Sequence, residues 1–229
     1  MVESDQIVRL EKAIGYTFSD RETLQLALRH RSLGARNNER LEFLGDSLLN
    51  CVIAEYLFQH FPKLKEGHMS RLRAGLVRGT TLSEIAREFN LGEFIQLGAG
   101  ELKSGGFRRD SILADSVEAI IGAIYLDSDF VQCKTSVLSW FEGRLKSLPE
   151  NGIPKDSKTR LQEFLQAHQL ALPNYEVVSV EGEAHKQTFY VDCFVPSLPE
   201  RTQGKGASRR IAEQEAARSA LLALGLENE

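Results

Sequence analysis

The chain has 229 residues, enough for one large domain or two small ones, and its 42% hydrophobic and 26% charged content is ordinary for a globular protein. A net charge of −4, with neither half positive on balance, excludes a uniformly basic nucleic-acid binder, so any polyanion site must be a local patch. Three scattered cysteines (Cys51, Cys133, Cys193) suit neither a disulfide framework nor a zinc site, no stretch approaches the ~20 apolar residues of a membrane span, and Met1-Val2-Glu3-Ser4-Asp5 does not open like a signal peptide, so a cytoplasmic protein without a membrane partner is expected.

Taken in order, the first 146 residues read as helices. Apolar residues recur at helical spacing over Ile7–Ile14, and Ser19-Asp20 forms a helix start ahead of Leu24 and Leu28. The pattern continues through Leu41, Leu44 and Leu48, through Leu72 and Leu76, and over Leu82–Phe89. Leu97-Gly98-Ala99-Gly100 and Ser104-Gly105-Gly106 are loop signals, followed by helices over about 109–126 and 129–146. Residues 148–156 are polar and proline-punctuated, the composition of a linker. Beyond it come a helix (158–168), strands at 175–180 and 187–195, a short strand near 200–203 and a helix over 207–224. The expected architecture is an all-α domain (1–147), a linker (148–156) and a small α+β domain of α-β-β-β-α order (157–227).

Within Asn38–Asn50, Glu39, Glu42 and Asp46 fall within ~60° of one another on a helical wheel, turned away from the leucines. Three acids on one face repel, and a bound cation is one way to offset that. A second pair, Asp115 and Glu118, carries the only charges in Ile112–Leu126, a segment apolar almost all round and therefore expected to be buried. Ala119 and Gly122 leave room beside these acids for something to approach. Unpaired buried carboxylates cost several kcal/mol or take up protons, whereas a divalent ion removes both problems. Ion pairing is the competing explanation, but no basic residue shares that segment. An all-oxygen ligand set suits Mg²⁺, with Mn²⁺ substituting, rather than zinc.

Asn38–Asn50, Glu66–Ala74 and Ile112–Leu126 together resemble the three signatures of the catalytic domain of bacterial ribonuclease III, of the gammaproteobacterial type. The resemblance extends over essentially the whole chain, including a C-terminal double-stranded RNA-binding domain. It implies that Glu42, Asp46, Asp115 and Glu118 hold the catalytic metals, with Asp46 and Glu118 central to the reaction. It implies supporting duties for Glu39 and Glu66 in substrate placement or water handling. His68 stands where an acid is often found, away from the ligand positions. The resemblance also implies a homodimer in which Phe43 inserts into the partner subunit; from the residues alone, an ordinary intrachain core contact is equally open.

The implied activity is endonucleolytic hydrolysis of both strands of duplex RNA by metal-activated water, leaving 5′-phosphate and 3′-hydroxyl ends. Ribosomal RNA precursors and structured messenger RNA are the implied substrates, and no DNA partner is expected. In the second domain Thr159, Gln162, Glu163 and Gln166 form a polar stripe suited to a minor groove, and His185 lies in a turn suited to the next groove. Lys205, Ser208, Arg209 and Arg210 gather cations at a helix N-terminus, which is a phosphate site. Arg stands at 209 and 210 where the family more usually has Lys. Lys103, Arg108 and Arg109 are further candidates for phosphate contact. His30 and His60 lack the spacing of general bases, and Ser47 and Ser116 lack a histidine partner pattern for nucleophilic work. A non-cleaving duplex-RNA binder and an all-α nucleotide pyrophosphohydrolase are the competing readings; the intact acids disfavour the first and the RNA-binding half disfavours the second.

Overall fold

The computed structural model describes residues 4–149, 155–183 and 186–226. The chain divides into two compact units, Met1–Ile153 and Pro154–Glu229. Among the described residues the first unit is helical: α1 (Ser4–Ile14), α2 (Arg21–Ala27), α3 (Glu39–His60), α4 (Glu66–Val77), α5 (Gly79–Glu88), α6 (Ala99–Lys103), α7 (Asp110–Asp127) and α8 (Phe130–Lys146). Short 3-10 turns lie at 31–33, 91–93 and 106–108. Side chains set several boundaries: Asp20 and Asp129 accept the N–H groups of Glu22 and Gln132 and so cap α2 and α8. The loop signal at 97–100 is partly overturned, because the short helix α6 begins at Ala99.

α7 is the axis of this unit. Its middle, from Ile112 to Ile124, is buried apart from Asp115 and Glu118, and it packs against α2, α3, α5 and α8. Its end is pinned by Asp127, which accepts the backbone N–H groups of Ser19 and Asp20 at 2.9 and 2.7 Å and the Tyr16 hydroxyl at 2.7 Å. Trp140 Nε1 donates to the Ile14 carbonyl at 2.7 Å, fastening α8 to the end of α1.

The space left beside Ala119 and Gly122 is filled by α3. A Cβ on Gly122 would stand 2.4 Å from the Leu41 carbonyl oxygen, and one on Gly45 would stand 1.7 Å from that of Glu118. Glycine at both positions is what lets the two backbones cross in contact. The flank expected to leave room for something to approach is thus occupied by α3.

The second unit comprises α9 (Ser157–Ala167), β1 (Asn174–Glu181), β2 (Thr188–Phe194), β3 (Thr202–Gly206) and α10 (Arg209–Ala223). The strands form an antiparallel sheet in the order β1-β2-β3, with a register shift between Val177 and Ser179. Leu161, Leu165, Val191, Cys193 and a stripe of alanines on α10 make its core. The third strand lies at 202–206 rather than 200–203, and the last helix begins at Arg209 rather than 207. Gly204 explains part of the shift: its bare Cα faces the α10 backbone, where a Cβ would stand 2.1 Å from the Ala212 carbonyl, so this stretch lacks the apolar signature of a strand.

Candidate metal centre and nucleic-acid interface

The α3–α7 crossing brings Glu42, Asp115 and Glu118 together, with one carboxylate oxygen from each within 4.8 Å of the others. Asp46 follows Glu42 by one turn of α3 and is exposed, with its Oδ1 accepting from Asn50 Nδ2 at 2.9 Å. Burial and then the charges of Asp46, Asp115 and Glu42 push the Glu118 carboxyl up to about 8. Glu42 is raised by burial and by Asp115 and Glu39, with Arg31 opposing. Asp115 is also raised by burial, against the opposing influence of Arg31 and His30. A cluster of acids that resists ionisation is the electrostatic complement of a cation.

Glu39 stands at the rim. Its Oε2 accepts from Asn37 Nδ2 at 3.0 Å, and its Oε1 lies 3.7 Å from Arg31. Together with His30, Arg31, Asn38, Glu42 and Asp115 it lines a hollow of about 150 Å³. Asn38 anchors the start of α3, donating its backbone N–H to Arg29 and its side-chain amide to the Ala27 carbonyl. Glu66 lies elsewhere in the protomer, accepting from the Ser70 hydroxyl at 2.6 Å and lining a hollow of about 490 Å³ with Phe58, Met69 and Arg73. Arg31 carries no spacing signal in the sequence, and only the fold brings it to the acids.

Several other catalytic-half candidates are engaged locally. The Ser47 and Ser116 hydroxyls donate to carbonyls one turn back, and His60 stacks on Tyr56 at 4.0 Å. Arg109 pairs with Glu101 at 3.0 Å, and Arg108 lies over the Phe107 ring. Phe43 has no intrachain core seat. It is 78% exposed and borders an open hollow of about 820 Å³ lined by Leu26, Ala35, Leu41, Leu44 and Leu126.

In the second unit the first turn of α9 is tied to α10. Asp156 caps α9 through Thr159 and also accepts from Gln214 at 2.7 Å, while the Lys158 backbone N–H donates to Gln214. The Thr159 hydroxyl donates to Asp156 at 2.8 Å, Glu163 pairs with Lys155, and Gln162 and Gln166 are exposed. Ser208 caps α10 by accepting from the Ile211 N–H. Arg209 Nε donates to Glu213 at 2.8 Å, whereas Arg210 is exposed and Lys205 lies over the Tyr190 ring. Burial works against the charge of Glu213, yet hydrogen bonds from Lys158 and Arg209 hold its carboxyl below the usual range. His185 lies outside the described residues.

Residues 20–145 match the Ribonuclease-III-like family profile, and residues 157–224 match that of the double-stranded RNA binding motif. Fold and site thus define a helical nuclease that carries its own duplex-RNA-binding module. The chain is 62% identical over 222 residues to Ribonuclease 3 of Hahella chejuensis, covering 97% of this chain and 98% of that one. It is 57% identical to Ribonuclease 3 of Pseudomonas aeruginosa over 225 residues, 98% of each chain. The crystal structure of the nuclease domain of ribonuclease III from Campylobacter jejuni superposes with a TM-score of 0.60 at 43% identity, covering 65% of this chain and all of that one. A second structure of that domain, which describes flexibility in a region involved in its dimer formation, gives a TM-score of 0.59 at 46% identity over 60% of this chain and 96% of that one. The chain belongs to the ribonuclease III family of double-stranded RNA endoribonucleases.

Proposed function

We propose that this chain hydrolyses both strands of duplex RNA at a site where Glu42, Asp46, Asp115 and Glu118 hold Mg²⁺, with Mn²⁺ able to substitute. The observation that carries this reading is the convergence of Glu42, Asp115 and Glu118 to within 4.8 Å in surroundings that raise all three carboxyls. The donor set fits the ion: every candidate ligand atom is a carboxylate oxygen, as hard cations require. A divalent ion bound there supplies activation of water and neutralisation of charge on the phosphoryl group. The chain's own residues do the rest. Asp46, whose charge helps to raise the Glu118 carboxyl, and Glu118 itself fix the reacting centre, while Glu39 and Glu66 serve as supporting acids that place substrate. Water adds to phosphorus, the bond to the 3′ oxygen breaks, and the ends are a 5′-phosphate and a 3′-hydroxyl.

Phe43 seats in the apolar hollow of a second copy, giving a two-fold homodimer with one site for each strand; its 78% exposure beside such a hollow supports this. The α9 stripe of Thr159, Gln162, Glu163 and Gln166 enters one minor groove and His185 reaches the next. Lys205, Ser208, Arg209 and Arg210 hold the phosphates between. Reading 2′-hydroxyls selects RNA over DNA. The physiological setting is the cytoplasm, and the substrates are ribosomal RNA precursors and structured messenger and transfer RNA. No described helix is long and apolar enough to cross a membrane.

The decisive experiment compares the wild type with Glu118→Ala on a long RNA duplex, in Mg²⁺ and in chelator. The variant should bind the duplex and leave it intact, as should the wild type in chelator. Normal cutting by the variant would remove the metal assignment.

A further inference from the structure

α9 and α10 meet through an apolar seam and a polar clasp. In the seam, Leu161 and Leu165 of α9 share a core with the alanines of α10. Apolar burial is non-directional, and a row of methyl groups offers low ridges to lock a neighbouring helix, so the seam resists sliding of α9 along α10 only weakly. The clasp supplies the register. Asp156 caps α9, its Oδ1 accepting the Thr159 N–H at 3.1 Å, which leaves the Lys158 N–H among the orphan donors of the first turn. Gln214 Oε1 accepts that N–H at 3.1 Å, and Gln214 Nε2 donates to Asp156 Oδ1 at 2.7 Å. A peptide N–H only donates and a carboxylate only accepts, so one orientation of the Gln214 amide satisfies both. Burial works against the charge of Asp156, yet hydrogen bonds from Gln214 and Thr159 hold its carboxyl below the usual range and keep it an acceptor. Beside Gln214, Glu213 accepts from the Lys158 ammonium at 2.6 Å.

Each end of this clasp adjoins an RNA contact of the reading above. Thr159, whose hydroxyl donates to Asp156 at 2.8 Å, begins the polar stripe on α9. On α10, Arg210 lies one turn before Gln214 and Arg209 one turn before Glu213. Groove hydroxyls and backbone phosphates stand at set separations in an A-form duplex, so the two protein elements that meet them must stand at a set separation too. A slip of α9 by one residue, about 1.5 Å, exceeds what a hydrogen bond tolerates. We propose that Gln214 is a positioning residue that sets the register of α9 against α10, and through it the preference of the second unit for duplex RNA over duplex DNA. DNA lacks the 2′-hydroxyls that α9 reads and is held through phosphates alone, so the loss of register falls on RNA. The proposal rests on the RNA-binding reading above.

Two variants separate positioning from packing. Gln214→Met keeps the length of the side chain and a good helix former while removing both hydrogen bonds. Pairing Gln214→Glu with Asp156→Asn exchanges donor and acceptor at unchanged net charge: the amide at 156 donates to the carboxylate at 214, which still accepts the Lys158 N–H. Fluorescence anisotropy with the full-length protein in chelator reads binding to an RNA duplex of about 20 base pairs, longer than the ~16 that such a module spans, and to a DNA duplex of the same sequence. Gln214→Met should lose about 10-fold on RNA, as one or two hydrogen bonds allow, and stay within about twofold on DNA. The paired variant should return to within about threefold of the wild type on RNA. Unchanged RNA affinity in Gln214→Met, or equal losses on RNA and DNA, would make Gln214 a packing residue and overturn the proposal. So would a paired variant that melts like the wild type yet stays weak on RNA. A wild type that binds the two duplexes alike would overturn the α9 reading itself, and this proposal with it.

Discussion

Glu118 carries its proton at pH 7, since burial and the neighbouring charges of Asp46, Asp115 and Glu42 push its carboxyl up to about 8. A cation must displace that proton, so binding should release close to one proton per ion near pH 7 and tighten as pH rises toward 8. Calorimetry in two buffers of different ionisation enthalpy measures this directly, and proton-neutral binding would contradict it. The same shift acts on stability in the metal-free protein. The folded carboxyl has the higher affinity for its proton, so its contribution is complete below the ordinary value of 4.5 and is lost as pH climbs through about 8. Glu118→Gln escapes that loss. It should melt roughly 2–4 °C above the wild type near pH 9, equivalent to about 1 kcal/mol once discounted for partial solvation, and with little difference near pH 4.

At the scale of elements, the α3–α7 crossing decides whether the acids meet. Ala at position 45 would place a methyl 1.7 Å from the Glu118 carbonyl, forcing the helices apart. Gly45→Ala should therefore cost about 1–3 kcal/mol and abolish cutting while leaving duplex binding by the second unit intact. Gly143 on α8 is the contrast: nothing lies within 4 Å of its missing Cβ, and Gly143→Ala should stabilise by about 0.5–1 kcal/mol. Melting curves on both variants check the pair. Much of this level was legible in the sequence. The caps at Asp20 and Asp129 and the apolar run of α7 are local signals, and they place their helices to within a residue or two. The partner of the Ala119–Gly122 flank was not legible, because it depends on contacts between segments some seventy positions apart, and neither do local patterns reveal them. Arg31 and His30 escaped notice as neighbours of the acids for the same reason, and Gly204 hid β3 because its packing requires the absence of a side chain.

For the whole molecule, two surfaces should govern assembly and substrate affinity. Phe43 behaves as an anchor in the proposed dimer, and such residues are worth about 2 kcal/mol or more on truncation. Phe43→Ala should weaken self-association roughly 30-fold in analytical ultracentrifugation, with loss of coordinated cutting of both strands; an unchanged dimer would refute that role. On the RNA side, each phosphate contact steepens the salt dependence of binding by about one power of salt concentration. Lys205→Ala and Arg210→Ala should each reduce that slope by about one. Arg209→Ala should reduce it less, because Glu213 already holds its Nε.

The position of α7 bears on how such an enzyme dies. The helix that contributes Asp115 and Glu118 is buried through its middle, from Ile112 to Ile124, and pinned at its end through Asp127. Its amides should be among the slowest in the chain to exchange with deuterium, opening only when the first unit unfolds globally. The proposed metal site would thus be mounted on the last element to fray. Heat inactivation and unfolding of that unit should trace one curve, with no interval in which a folded nuclease has already lost its acids.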